Sequence, residues 1–169
     1  MRSVTWLARN LAAFNLIGQP VHEILGPGDL VEGDEFVGFV GDGDVAGVIA
    51  VTDEDTTIDM YMGQGGAPEG VLAAAALRCV GGQFNGRLVF RNEDEKARAA
   101  KWGIEDLDRI YKLEDLAKGD CIFAATGVTS GSLLEGVKRR KGGRMTTESV
   151  VMRASSGTVR WIRGEHRVR

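Results

Sequence analysis

A chain of 169 residues with 43% hydrophobic content has enough apolar material for one core, and its length is that of one domain rather than two. The formal net charge of -3 gives no basic field to hold nucleic-acid phosphates or anionic lipid, so neither partner is expected. No stretch approaches the roughly 20 unbroken apolar residues of a membrane span, and Arg2, Arg9 and Asn10 interrupt the start where a signal peptide carries its apolar run, which points to a soluble cytoplasmic protein.

In chain order, Val4, Leu7, Leu11, Phe14 and Leu16 fall roughly on one side of a helix drawn through residues 1–17, and Gly18-Gln19-Pro20 ends it. Residues 26–35 are rich in Gly, Pro and Asp and read as a connector; residues 36–40 form a compact apolar run suited to a buried strand that points into Gly41-Asp42-Gly43-Asp44. Residues 45–51 are small and apolar, compatible with a helix start or a second strand. A strand over 58–62 leads into a glycine loop through Gly70 and then a helix over 71–80. Pro68 suits the first turn of that helix and Gly81-Gly82 its stop.

Residues 87–90 predict a further strand, 93–102 a charged surface helix ended by Gly103, and 121–125 a buried strand. The spans 146–153 and 158–162 flank Ala154-Ser155-Ser156-Gly157, a β-hairpin pattern with a short polar loop. The alternation of strand and helix predicts an α/β class.

Glycine loops between strand and helix let backbone N–H groups approach an anion, and the helix start adds partial positive charge. The first such loop, Gly41-Asp42-Gly43-Asp44-Val45-Ala46-Gly47, spaces its third glycine one residue too far for a dinucleotide fingerprint and places carboxylates where a pyrophosphate would be repelled. Asp42 and Asp44 suit sugar hydroxyls or a hard cation; equally, they suit a polar turn bonded to its own backbone. Glu69, near a helix start, is either a dipole-favoured structural acid or a ligand.

Thr126-Gly127-Val128-Thr129-Ser130-Gly131 either brings hydroxyls and amides to the same site or caps a helix through Ser130 or Ser132. Lys138-Arg139-Arg140-Lys141 with Arg144 either meets a phosphate or forms a solvated face. Cys79 and Cys121 sit inside apolar runs, as buried reduced thiols do, and His22 and His166 have no ligand spacing around them.

Taken together, Gly41-Asp42-Gly43-Asp44-Val45-Ala46-Gly47, Gly65-Gly66-Ala67-Pro68-Glu69-Gly70, Ala73-Ala74-Ala75 and Arg78, then Tyr111-Lys112-Leu113-Glu114-Asp115-Leu116, Ala124-Ala125-Thr126-Gly127-Val128-Thr129, Leu133-Leu134-Glu135-Gly136-Val137 and Val151-Met152-Arg153 through Arg160 resemble the class II fructose-1,6-bisphosphatases in the family's own order. The resemblance covers roughly residues 36–168, the C-terminal half of that family. It implies a layered, inositol-monophosphatase-like sugar-phosphatase fold, of which this chain carries the C-terminal αβ portion with its terminal β-hairpin. The domain reading is residues 1–35 as a divergent N-terminal helix and connector, and 36–169 as the C-terminal α/β domain.

The resemblance further implies hydrolysis of the 1-phosphate of fructose 1,6-bisphosphate in gluconeogenesis by water activated on Mg2+ or Mn2+, with sedoheptulose 1,7-bisphosphate as a further substrate. By it, Asp42, Gly43 and Asp44 match a substrate-binding element, Gly66 a substrate-contacting backbone position, and Glu69 a metal ligand. Two departures stand out. The family's Asp-Pro-(Ile/Leu)-Glu-Gly-Thr element is absent, since none of Pro20, Pro27 and Pro68 follows an Asp, and its Arg-Pro-Arg-His stretch reads here Gln19-Pro20-Val21-His22. Weak activity in isolation, self-association, and a homo-oligomeric or complementary N-terminal partner are therefore expected.

Overall fold

The structure is a computed structural model that describes residues 3–9, 44–53 and 60–167. Two antiparallel sheets enclose a central helix. The first has the order β2 (Met60–Gly65), β1 (Ser3–Arg9), β3 (Gln83–Val89), β4 (Ile110–Lys112). In the second, β5 (Ile122–Thr126) and β6 (Lys138–Arg140) pair with opposite ends of β7 (Arg144–Arg153), and β8 (Thr158–Arg167) pairs along its length.

β2 and β3 both run antiparallel to β1 and hence parallel to each other, so the chain between them must cross over. α2 (Ala67–Val80) is that crossover. Its boundaries are set locally: Gly66 is the N-cap, Pro68 lies in the first turn, and Gly81 closes the helix at φ 89, with its N–H donating to the Leu77 carbonyl over 2.8 Å. The left-handed φ is open to glycine without strain, which makes the stop legible.

Small side chains let α2 be covered on two sides. Ala73, Ala74 and Leu77 pack with Phe84 of β3, with Leu113 of α4 (Leu113–Leu116), and with Val48 and Val51 at the end of α1 (Asp44–Ala50). Ala76 and Cys79 pack on the other side against Phe123 of β5 and Val150 and Met152 of β7. The core is thus two apolar clusters that share one helix. Among the described residues no helix is long and apolar enough to cross a membrane.

The helix expected over residues 1–17 is corrected for its described part: Ser3–Arg9 is a strand inside the first sheet, and residues 1–2 and 10–17 lie outside the described residues. Residues such as Val4, Thr5 and Trp6 favour strands, and β1 finds hydrogen-bonding edges on both sides, in β2 and β3, which outweigh a loose helical spacing. The ambiguous stretch 45–51 is mainly helix, as α1. The strand expected over 36–40, the connector and the rest of residues 10–43 lie outside the described residues.

The α/β class, the crossover helix and the terminal hairpin stand as expected, the hairpin turning at residues 154–157 with Gly157 at φ 58. α3 (Glu93–Lys101) is present too, but it is not simply a wet face. Glu95 is only 2% exposed, because its carboxylate is drawn inward by Arg91, which donates through its backbone N–H (3.0 Å), Nε (3.2 Å) and Nη2 (2.6 Å). Asn92 caps the same turn by accepting from the Glu95 N–H at 2.9 Å.

Candidate functional site

Two of the sequence-predicted residues, Gly66 and Glu69, meet at the start of α2. Gly66 has φ -68 and ψ 149, an extended conformation open to any residue, so backbone freedom does not explain the glycine. Space does: a Cβ built on Gly66 would overlap the Oε2 of Glu69, whose side chain folds back over the N-cap. Gly66 and Glu69 are therefore one unit, the missing side chain of the first making room for the carboxylate of the second.

No side chain caps this helix, so the N–H groups of its first turn are not consumed by a Ser, Thr, Asp or Asn oxygen. Pro68 contributes none, and the Gly70 N–H is used by the Gly66 carbonyl at 3.0 Å. Glu69 is exposed and sits in the first turn, where the helix dipole favours a negative charge. Among the described residues the result is a carboxylate oxygen donor at a helix start whose first-turn N–H groups have no side-chain cap. That pairing can hold a hard cation and, next to it, an anionic or hydroxyl-bearing ligand.

The preceding strand ties this point to α1. The Tyr61 ring of β2 lies between Gly47 of α1 and Gly63 of β2, so close that an added Cβ on Gly47 would stand 2.5 Å from Tyr61 Cε2, and one on Gly63 2.8 Å from Cε1. The third glycine of the Gly41-Asp42-Gly43-Asp44-Val45-Ala46-Gly47 motif thus serves packing. Asp44 opens α1; Asp42 and Gly43 lie outside the described residues.

Other candidates are occupied elsewhere. The loop after β5 starts no helix, so neither Ser130 nor Ser132 caps one. Ser130 Oγ accepts instead from the Gly136 N–H at 3.1 Å, and Thr126 Oγ1 shares a hydrogen bond with Ser149 Oγ at 2.8 Å, closing the loop onto β6 and β7. Gly127 and Gly136 are pressed against backbone atoms of this loop, which is why the segment needs them. Both cysteines are free: Cys79 Sγ donates to the Cys121 carbonyl at 3.5 Å, and burial pushes its thiol pKa up, away from nucleophilic use. His166 Nε2 is 3.0 Å from Thr147 Oγ1 on the exposed hairpin.

Sequence reasoning missed the joint at the far end of α2. A cavity of ≈ 370 Å³ there is lined by Leu77, Arg78, Leu113, Asp120 and Ser155 among others, and involves neither Gly66 nor Glu69. Its polar groups are engaged. Asp120 accepts from Arg153 Nε (2.9 Å) and Nη2 (2.7 Å) and from the Ser155 N–H (2.9 Å), which holds its carboxyl down at a pKa of about 2. Arg78 Nε donates to the Gly119 carbonyl at 2.7 Å. This is a structural clasp between helix and hairpin rather than a reaction centre.

Among the described residues no group of three or more His, Cys, Asp or Glu is placed to hold a metal ion. Glu69 fits as a single oxygen ligand, with an exposed carboxylate and a space cleared for it by Gly66.

Residues 29–166 match the family described as bacterial fructose-1,6-bisphosphatase, glpX-encoded. The chain is 40% identical over 143 residues to the D-fructose 1,6-bisphosphatase class 2/sedoheptulose 1,7-bisphosphatase of Synechocystis sp., covering 77% of this chain and 41% of that protein. It is 41% identical over 141 residues to the fructose-1,6-bisphosphatase class 2 of Haemophilus influenzae, covering 75% and 42%. A Microcystis aeruginosa protein with the same name as the Synechocystis one is 41% identical over 143 residues, covering 77% and 41%. The chain spans about two fifths of the length of the curated relatives it matches.

Proposed function

Because the chain belongs to the bacterial fructose-1,6-bisphosphatase, glpX-encoded, family, we propose that it forms the sugar-recognising, C-terminal portion of a metal-dependent sugar-bisphosphate phosphatase that removes the 1-phosphate of fructose 1,6-bisphosphate. The observation that carries the proposal is the Gly66–Glu69 unit at an uncapped helix start. The names of the relatives from Synechocystis and Microcystis support sedoheptulose 1,7-bisphosphate as a further substrate.

In this reading Glu69 supplies one oxygen ligand to Mg2+ or Mn2+, and the other ligands come from outside the described residues. When bound, such a cation supplies Lewis-acid neutralisation of phosphoryl charge and lowers the pKa of water. The residues of this chain do the rest of their part by position. Glu69, folded back over Gly66, would present its carboxylate to the cation. The uncapped amides at the start of α2 and the backbone of Gly66 orient the sugar phosphate. Asp42 and Asp44 accept its hydroxyls, with Gly43 between them to let the ligand approach the backbone.

The layering is that of the inositol-monophosphatase-like phosphatases, the setting is cytoplasmic gluconeogenesis, and the working unit is a homo-oligomer or a pair with a complementary N-terminal half. A second reading is a sugar-phosphate-binding module without catalysis. Phosphate release from fructose 1,6-bisphosphate with Mg2+ or Mn2+, abolished by Glu69→Ala, supports the hydrolase. Sugar-phosphate binding with no release and no metal requirement supports the module.

A further inference from the structure

Strand register places three arginines in one row of the second sheet. Arg140 on β6 stands opposite Arg144 on β7, which stands opposite Arg167 on β8. Directly opposed residues of an antiparallel pair share a face, and neighbouring strands are about 4.8 Å apart, so three like charges are held side by side where repulsion is destabilising. The β6–β7 turn fixes the first pair, with Gly142 at φ 75 and Gly143 at φ 68 closing it tightly. All three arginines are exposed.

The carboxylates of this face relieve the row only in part. Glu165 pairs with Arg144 at 2.8 Å, Glu135 holds Lys138, and Glu148 Oε2 accepts from the Glu135 N–H at 2.6 Å. Arg140 and Arg167 make no ion pair or hydrogen bond among the described residues. Glu135 also feels Arg140 at a distance, so the carboxylates offset the row only in part and it keeps a net positive charge that an anion can meet.

We propose that the Arg140–Arg144–Arg167 row binds a phosphate-class dianion, either free phosphate or the terminal phosphoryl group of a small phosphorylated molecule. Guanidinium forks match phosphate oxygens in a bidentate way, which a monovalent spherical anion cannot use. Beyond the row the same face alternates in sign, with Glu165 and Glu148 beside Lys138 and Arg163, so it offers no continuous basic track, and the chain's net charge of -3 further disfavours an extended polyanion. The row lies on β7 six residues from the buried Val150, roughly 20 Å along the strand at about 3.4 Å per residue. It shares no residue with the Gly66–Glu69 unit.

The test is titration of the 169-residue chain with inorganic phosphate by calorimetry and thermal melting, in chelator so that no metal contributes. Chloride at matched ionic strength serves as the control, and fructose 6-phosphate is the phosphomonoester arm. Arg140→Gln/Arg167→Gln is expected to melt at or above the parent in phosphate-free buffer, because repulsion is relieved, and yet to bind phosphate about tenfold or more weakly, as loss of charge-assisted hydrogen bonds implies. Arg160→Gln, exposed on the opposite face of β8, is expected to leave the phosphate response unchanged. Tighter binding of the phosphomonoester that is lost in Arg140→Gln/Arg167→Gln would assign the row to a phosphorylated molecule, and tighter binding of inorganic phosphate lost in the same variant would assign it to the free ion. A double variant that keeps the parent's phosphate response, or chloride acting as strongly as phosphate, would overturn the proposal.

Discussion

Gly47→Ala separates a packing glycine from a ligand-binding one. In an ordinary helix interior the substitution stabilises by up to about 1 kcal/mol, because alanine restricts the unfolded chain and favours the helix. Here the new Cβ would lie 2.5 Å from Tyr61 Cε2, 2.9 Å from Cδ2 and 3.2 Å from Cζ, where an ordinary contact needs at least 3.4 Å. The ring must therefore retreat by close to an ångström, and Gly63 closes its other edge, with an added Cβ there 2.8 Å from Cε1. Overpacking of this kind costs about 1–3 kcal/mol, which offsets or exceeds the helix gain and leaves a net loss of up to about 2 kcal/mol. For a chain of this size that is a melting-point drop of up to roughly 8 °C.

Urea and thermal melts of Gly47→Ala, Tyr61→Leu and the double variant form the assay. The double variant should be less destabilised than the sum of the singles, because the smaller side chain removes the collision. A Gly47→Ala protein more stable than the parent, or strictly additive losses, would refute the packing role of Gly47.

Gly66→Ala keeps an allowed backbone and displaces only the mobile end of the exposed Glu69 side chain, so stability should change by no more than about 1 kcal/mol while Mn2+ affinity falls on the order of tenfold. Adding Gly66→Ala to Glu69→Ala should then weaken metal binding no further, which calorimetry of the single and double variants checks. Acid should destabilise the fold from about pH 4.5 downward. Glu95, held by Arg91, and Asp120, held by Arg153, both have carboxyl pKa values lowered to about 2, so their contribution is complete above the ordinary carboxylate range and is lost as pH falls toward 2. Arg153→Gln should flatten that acid dependence in urea melts taken between pH 5 and 2, and an unchanged pH profile would remove the Asp120 clasp as its cause.

What could be read in advance was local. Pro68 and Gly81-Gly82 bound α2 through rules that act within one turn, and Ala154-Ser155-Ser156-Gly157 marked the hairpin for the same reason. β1 was not legible, because its partners Met60–Gly65 and Gln83–Val89 are far along the chain and its own spacing imitates a helix. Glu95 looked like a solvated acid, since nothing in a charged run shows that Arg91 will turn it inward. The loop after Thr126 carries a helix-cap pattern that the long-range pairing of β5 with β7 and the Gly136 N–H bond to Ser130 Oγ override. Of the candidate site, the Gly66 and Glu69 positions were legible by resemblance, whereas the reason they occur together, one filling the space the other leaves, required coordinates.

Calorimetric titration of the chain with fructose 1,6-bisphosphate, with and without Mn2+, for the parent and Glu69→Ala, tests the central claim most directly. The account predicts that Mn2+ strengthens sugar-bisphosphate binding to the parent and that Glu69→Ala removes this linkage while leaving the melting curve nearly unchanged. Binding that is indifferent to Mn2+, or a metal effect that survives Glu69→Ala, would contradict the assignment of Glu69 as the metal-facing carboxylate.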